Sequence, residues 1–136
     1  MKVFDCTTFY NENMMLELRF NILDPYVDKF VITEATYMHS GKPKKLSFDI
    51  KKFSKFKDKI IYNIVDKPPS TLELINNEDS DYIKGSKLIN NSLKRENFQR
   101  EMLGTVLNEA KDEDIILIND IDEIPNLSSI DLKSIN

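Results

Sequence analysis

The feature that most constrains the fold is an alternation of two apolar periods along the chain. Short runs rich in β-branched and aromatic residues (VFDCTTF, KFVITEA, IIYNIV, DIILIN) alternate with helically spaced or polar stretches. That alternation is the pattern of an α/β sheet. Residues 2–9 are expected to form a first strand. A helix then starts around Asn11-Glu12-Asn13, with Asn11 as its cap. It runs to Leu23 with Met15, Leu18 and Ile22 on the buried face. Asp24-Pro25 stops it, because the residue before proline is pushed out of the α region. Residues 29–35 read as a second strand, His39-Ser40-Gly41-Lys42-Pro43 as a turn, and residues 60–65 as a third strand ended by Asp66 and Pro68-Pro69.

The polar segment 70–91 reads as a loop, and loops of that length are usually functional or mobile. Residues from about 92 to 110 read as the longest helix, its core-facing arc marked by Phe98, Met102, Val106 and Ala110, with Leu103 and Leu107 beside them. Residues 114–119 read as a fourth, fully buried strand, expected beside the first. It runs into Asp120-Ile121-Asp122-Glu123-Ile124-Pro125, after which a last helix is expected to begin near Ser128 or Ser129. The order of elements predicts a parallel, Rossmann-like sheet with right-handed crossovers.

Ligands in such sheets bind beyond the carboxyl ends of the strands. Three segments are therefore candidates: residues 9–12, 34–42 and 120–125. In the last, Asp120 and Asp122 leave a buried strand one residue apart and share one small volume. Carboxylates at a dry strand end are costly without a counter-charge. Mn²⁺ or Mg²⁺ suits them, since such ions take one or two carboxylates and leave the other positions to water and phosphate oxygens. The pair is read as a metal–diphosphate site, with a plain polar turn as the alternative.

On the long helix, Glu96 and Gln99 fall inside the apolar arc and Arg100 lies at its edge. The first turns of that helix are expected beside the acid pair. Arg100 is placed to bind Asp120, Asp122 or a donor phosphate; an i,i+4 pair with Glu96 is the competing use. Glu34 ends the second strand, where a carboxylate can accept hydrogen bonds from ribose hydroxyls or a base N–H. A solvent-exposed strand end is the alternative. Asn11 and Glu12 occupy the first crossover, where the backbone passes closest to a nucleotide. His39 reads as a surface residue of its turn.

Composition narrows the partners. With 136 residues the chain holds one domain, and 40% apolar with 31% charged residues is globular rather than disordered. A formal net charge of -4 gives no bulk attraction to nucleic acid. Lys42, Lys44, Lys45, Lys51, Lys52, Lys55, Lys57 and Lys59 crowd one segment, read mostly as a solvated face. Cys6 is the single cysteine, read as a buried structural thiol. With no intrachain disulfide to form, the chain fits a reducing compartment. No apolar run approaches the roughly 20 residues of a membrane span, and residues 1–10 lack a signal-peptide pattern; a cytoplasmic location is expected. No Cys/His cluster, Gly-x-Gly-x-x-Gly or Walker lysine motif appears, so zinc, dinucleotide and P-loop chemistry lack support. Haloacid dehalogenase-type phosphatases also open with Asp-x-Asp after a buried strand, but their motif usually wants Thr or Val where Ile124 stands.

Several motifs in order resemble glycosyltransferase family 17: Asp5-Cys6-Thr7-Thr8-Phe9-Tyr10-Asn11-Glu12, Leu23-Asp24-Pro25-Tyr26-Val27-Asp28, Thr33-Glu34 through His39-Ser40-Gly41-Lys42-Pro43, Glu96 to Arg100, and Asp120-Ile121-Asp122-Glu123-Ile124-Pro125. Only residues 70–91 fall outside the resemblance. Animal members of that family are β-1,4-mannosyl-glycoprotein β-1,4-N-acetylglucosaminyltransferases. The resemblance implies a GT-A-type fold, a nucleotide-sugar donor such as UDP-N-acetylglucosamine, a glycan acceptor, a divalent cation (Mn²⁺ or Mg²⁺) and inversion at the anomeric carbon. On this chain it makes Asp120 and Asp122 the Asp-x-Asp metal motif, with Glu123 completing the turn. Asn11, Glu12, Glu34, Arg100 and Asp120 are assigned to the donor pocket from their positions.

Catalytic domains of this kind normally continue well past the acid motif, so residues 1–136 are expected to be the N-terminal, nucleotide-binding half of a truncated GT-A-like domain. The acceptor-binding half and its general base are expected to lie elsewhere. A non-catalytic nucleotide-sugar- or partner-binding remnant is the alternative. An uncovered sheet edge beside the fourth strand would invite pairing with another chain.

Overall fold

Four strands form one parallel sheet, and the residues that build it are those with the strongest strand character. The computed structural model describes residues 1–135; residue 136, the end of the expected domain, lies outside them. β1 (Val3–Phe9) is followed by α1 (Asn13–Leu23), β2 (Lys29–Ala35), a 3₁₀ segment (Ile50–Phe56), β3 (Ile60–Val65), α2 (Asp81–Glu101) and β4 (Ile115–Ile118). The strand order is β3-β2-β1-β4, every neighbour parallel. β2 and β3 have the predicted bounds. β4 pairs with β1, as expected, in the register Val3↔Ile115 to Cys6↔Ile118.

The alternating side chains of each strand feed two layers. On one face Val3, Phe9, Phe30 and Ile32 pack against Leu16, Phe20 and Leu23 of α1 and against Phe53 and Phe56. Phe20 is the hub of this layer, its ring centroid 4.3 Å from Phe30, 5.4 Å from Phe53 and 5.3 Å from Phe56. Burying a side chain of that size contributes about 1.5–3 kcal/mol. On the other face Phe4, Cys6 and Val31 meet Leu103, Val106, Leu107 and Ala110, just beyond the end of α2. The first two crossovers thus cover one face and the third covers the other.

Several local expectations are corrected. The buried arc of α1 is Leu16, Arg19, Phe20 and Leu23, while Leu18 and Ile22 are about half exposed. Both patterns have helical spacing; the observed one hides a charge, which is why the alternative looked more apolar. Asn11 does not cap the helix: Glu12 holds the cap position, and its carboxylate accepts from the Tyr10 and Asn11 amides at 2.9 and 3.0 Å.

α2 begins eleven residues before the expected start, inside the segment read as a loop. Ser80 caps it, accepting from the Ile83 amide at 3.4 Å, with Asp81 in the first turn. Such a cap and acid suit the positive helix start. The helix ends at Glu101 instead of near 110, and its apolar arc continues through a 3₁₀ turn, Gly104–Val106. Residues 126–135 contain two 3₁₀ turns, Leu127–Ser129 and Leu132–Ser134, in place of an α-helix. β4 is an edge strand, not a fully buried one: three of its four residues are half-buried and Ile118 is 53% exposed. Among the described residues no helix is long and apolar enough to cross a membrane.

Candidate functional site

The strand order reverses between β1 and β4, and that switch point opens a crevice at the carboxyl edge. Register deepens it. β4 leaves the sheet at Ile118, opposite Cys6, whereas β1 continues to Phe9. The chain after β4 therefore turns beside the last residues of β1. In that turn the Glu123 amide donates to the Asp120 carbonyl at 3.0 Å, and the Glu123 carboxylate accepts from the Asp120 amide at 3.3 Å.

The result is a cleft of about 460 Å³, lined by Thr8, Phe9, Tyr10 and Glu12 from the end of β1, and by Asp120, Ile121 and Asp122 from the acid turn. Glu96, Gln99 and Arg100 of α2, with Met15 and His39, complete the wall. A volume of this size suits a small organic ligand. Arg100 donates to the Asp120 carboxylate at 2.6 Å and lies 3.8 Å from that of Glu96. Both sequence-level uses of Arg100 are thus present together. Its side chain and that of Asp120 are 38% and 53% exposed, so the pair faces the open cleft.

A model of glycosyltransferase family 17 matches residues 1–135. The chain belongs to glycosyltransferase family 17. No curated protein and no solved structure gives a significant match. As a member of that family, the chain is a glycosyltransferase domain, and its four-stranded parallel sheet is the α/β architecture expected of one.

Within this family 17 domain the expected site residues separate into three groups. Asp120, Asp122, Arg100 and Glu12 line the cleft. Asn11 is exposed and lies outside that lining. Glu34 is fully buried and committed elsewhere: its carboxylate pairs with the Lys44 ammonium and accepts from the Ser47 amide at 2.7 Å, the Phe48 amide at 3.1 Å and the Tyr62 hydroxyl at 2.7 Å. With its acceptor positions filled by protein donors, Glu34 pins residues 44–48 to the sheet and presents nothing to ribose. Burial raises the Tyr62 hydroxyl well above its ordinary value, and the bond to Glu34 adds to the shift.

Other side chains at the cleft were given no site role from the sequence, although Gln99 stood out on the apolar arc. Gln99 is buried, its amide donating to the Thr33 carbonyl at 2.9 Å and the Phe9 carbonyl at 3.3 Å, while Thr33 Oγ1 donates to the Gln99 carbonyl at 3.0 Å. It ties the last turns of α2, rather than the expected first turns, across the ends of β1 and β2. Its place on the apolar arc was the available signal. His39 reaches the cleft because Arg95 donates to its carbonyl at 2.9 Å and lies against Gly41. Gly41 has φ +88°, and a Cβ there would sit 2.7 Å from the Arg95 guanidinium.

The deepest addition is Arg19, which has no exposed surface. Its guanidinium grips Asp5 bidentately at 2.8 and 2.7 Å and donates to the carbonyls of Asp120, Ile121 and Glu123 at 2.9, 3.3 and 3.0 Å. Two clues lay in the sequence: an acid, Asp5, inside an apolar strand, and a base on the Leu16-Phe20-Leu23 stripe. The neighbouring Cys6 is an inert thiol, pushed up to about 12 by burial and by the Asp5 carboxylate.

The donor set limits what the family 17 cleft can hold. Among the described residues no three Cys, His, Asp or Glu side chains cluster as a metal cage. Asp120, whose carboxylate is held by Arg100, and Asp122 are both exposed and line the cleft. Two carboxylates suit the other mode, in which an ion such as Mn²⁺ or Mg²⁺ takes one or two protein oxygens and completes its shell with phosphate and water.

Proposed function

We propose that the cleft at the β1/β4 switch point binds the diphosphate of a nucleotide-sugar donor together with a divalent cation. The supporting observation is convergence: Asp120, Asp122 and Arg100 meet in one open cleft of about 460 Å³ beyond the carboxyl edge of a parallel sheet. Asp120 and Asp122 would hold Mn²⁺ or Mg²⁺, which when bound supplies positive charge to a departing diphosphate. Arg100 neutralises Asp120 in the free protein, and in the complex it would turn its fork to phosphate oxygens. Glu12 shapes the wall by holding the Tyr10 and Asn11 amides, and Gln99 holds α2 in place.

The reaction we assign is inverting transfer of a sugar, N-acetylglucosamine by family resemblance, from UDP to a glycan hydroxyl. Residues 1–135 would form the donor-binding unit. The general base is unassigned. The test is release of UDP from UDP-N-acetylglucosamine by the purified chain with Mn²⁺, against the same reaction in EDTA and against other UDP-sugars. Metal-dependent release supports transfer chemistry at this cleft. Donor binding without release would give the chain a holding role instead, and neither binding nor release for any UDP-sugar would overturn the proposal.

A further inference from the structure

We propose that Arg19 is the positioning residue of the acid motif, a buried clamp that sets where Asp120 and Asp122 present their carboxylates. The functional part of this inference rests on the donor-site proposal above; the structural part does not. Three backbone carbonyls of one short turn, those of Asp120, Ile121 and Glu123, converge on a single guanidinium nitrogen at 2.9, 3.3 and 3.0 Å. A carbonyl turned inward needs a donor, because leaving one buried and unpaired is costly. Arg19 supplies it, and in doing so fixes the peptide after Asp120 and the backbone on both sides of Asp122. The side chains of Asp120 and Asp122 are left to face the cleft, where both are exposed.

The other half of the clamp gives it a rigid origin. Asp5 takes the remaining edge of the guanidinium through two bonds and is itself 1% exposed in the centre of β1. A planar five-donor fork can hold a carboxylate on one edge and carbonyls on another; a lysine ammonium cannot reproduce both. The acid turn follows an edge strand of four residues and lies in a region with only 3₁₀ structure after it. Its placement therefore comes from α1 and β1, through Arg19, more than from its own strand.

Three measurements test this on the full chain. In the wild type, the Glu123 amide, bonded to the Asp120 carbonyl at 3.0 Å, should exchange with solvent deuterium at least tenfold more slowly than the amides of the exposed Asn77 and Glu78. Equal rates would overturn the clamp whatever any variant does. In the double variant Asp5→Leu/Arg19→Met, which replaces a buried pair with apolar groups of similar size and so preserves folding in comparable cases, protection of Glu123 should fall at least tenfold. UDP–Mn²⁺ affinity should fall about tenfold too, while the β1 and β2 amides keep their protection. A folded double variant with wild-type turn protection and affinity would contradict the proposal. Arg19→Lys keeps the charge and folding partner but lacks the fork, and should show the same selective loss at Glu123. Should Asp122→Ala leave UDP–Mn²⁺ affinity unchanged while Arg19→Lys still unprotects the turn, the donor site fails and the clamp stands.

Discussion

Asp5–Arg19 and Asp120–Arg100 are the same chemical pair, an aspartate from a strand or its carboxyl end against an arginine from a helix, placed in opposite surroundings. The first is sealed, with side chains 1% and 0% exposed; the second is open, at 53% and 38%. Burial makes the first pair obligatory: two charges taken from water are tolerable only because every bond between them is made. Exposure makes the second pair exchangeable, because water and salt already compete with it. A ligand can displace the open pair cheaply, whereas the closed pair, together with the packing of Ile121, Ile124 and Leu127 on the core, can hold the loop on which the open one stands.

The largest effect that separates the two should come from Arg19→Met alone, which leaves Asp5 charged and unpartnered in the core. We expect a loss of about 3–5 kcal/mol in denaturant unfolding. Cys6, buried and pushed up to about 12 in the native protein, should then react faster with a thiol reagent near pH 8 through more frequent unfolding, since loss of Arg19 alone would push the native thiol further up. A loss below about 1 kcal/mol would mean that burial does not distinguish the pairs.

A third pair, Glu34–Lys44, is buried like the first and is not part of the cleft lining, although the Lys44 ammonium sits 5.0 Å from the ring centroid of the lining residue Tyr10. Glu34→Gln keeps the shape and removes the charge, so stability should fall by about 1–3 kcal/mol with UDP–Mn²⁺ affinity unchanged. Calorimetry on the folded variant checks this; a weakened affinity would return Glu34 to the donor pocket.

Arg100→Ala should reverse the balance. Its effect on stability should be under about 1 kcal/mol, while UDP–Mn²⁺ binding weakens roughly tenfold, equivalent to about 1.4 kcal/mol. Equal losses in both would make Arg100 a structural residue like Arg19.

The smallest effect should come from Asp114, which holds the start of β4. The Lys2 and Lys111 amides keep its carboxyl below the ordinary value. A lowered native value means that its contribution is present above the ordinary carboxylate range and is lost as pH falls through the native one. Asp114→Asn should therefore destabilise at neutral pH and match the wild type in strong acid, as seen in urea midpoints across pH.

How much of this was legible in the sequence follows the same contrast. The strands were, because KFVITEA and IIYNIV carry β-branched and aromatic residues in runs that only a sheet can bury. The acid turn was, because its two aspartates follow such a run. Arg19 was not, since a charge on a helix is normally read as solvent-facing, and its meaning depends on Asp5, fourteen positions away, and on a turn a hundred residues away. The start of α2 was also hidden. Tyr82, Leu88, Ile89 and Leu93 are more than half exposed, so its first half has no buried stripe to reveal a period, and its local marks are the Ser80 cap and Asp81 in the first turn. Glu34 was correctly placed at the end of β2 but assigned the wrong neighbours, because residues 44–48 return to it through tertiary folding.

The central claim, that Asp120 and Asp122 bind a cation–diphosphate complex in the family 17 cleft, is tested most directly by calorimetric titration of UDP with Mn²⁺ into the wild type and Asp122→Ala. Saturable, Mn²⁺-dependent binding in the wild type, abolished in a variant of unchanged thermal stability, is the predicted result. Equal affinity in the two proteins would contradict it.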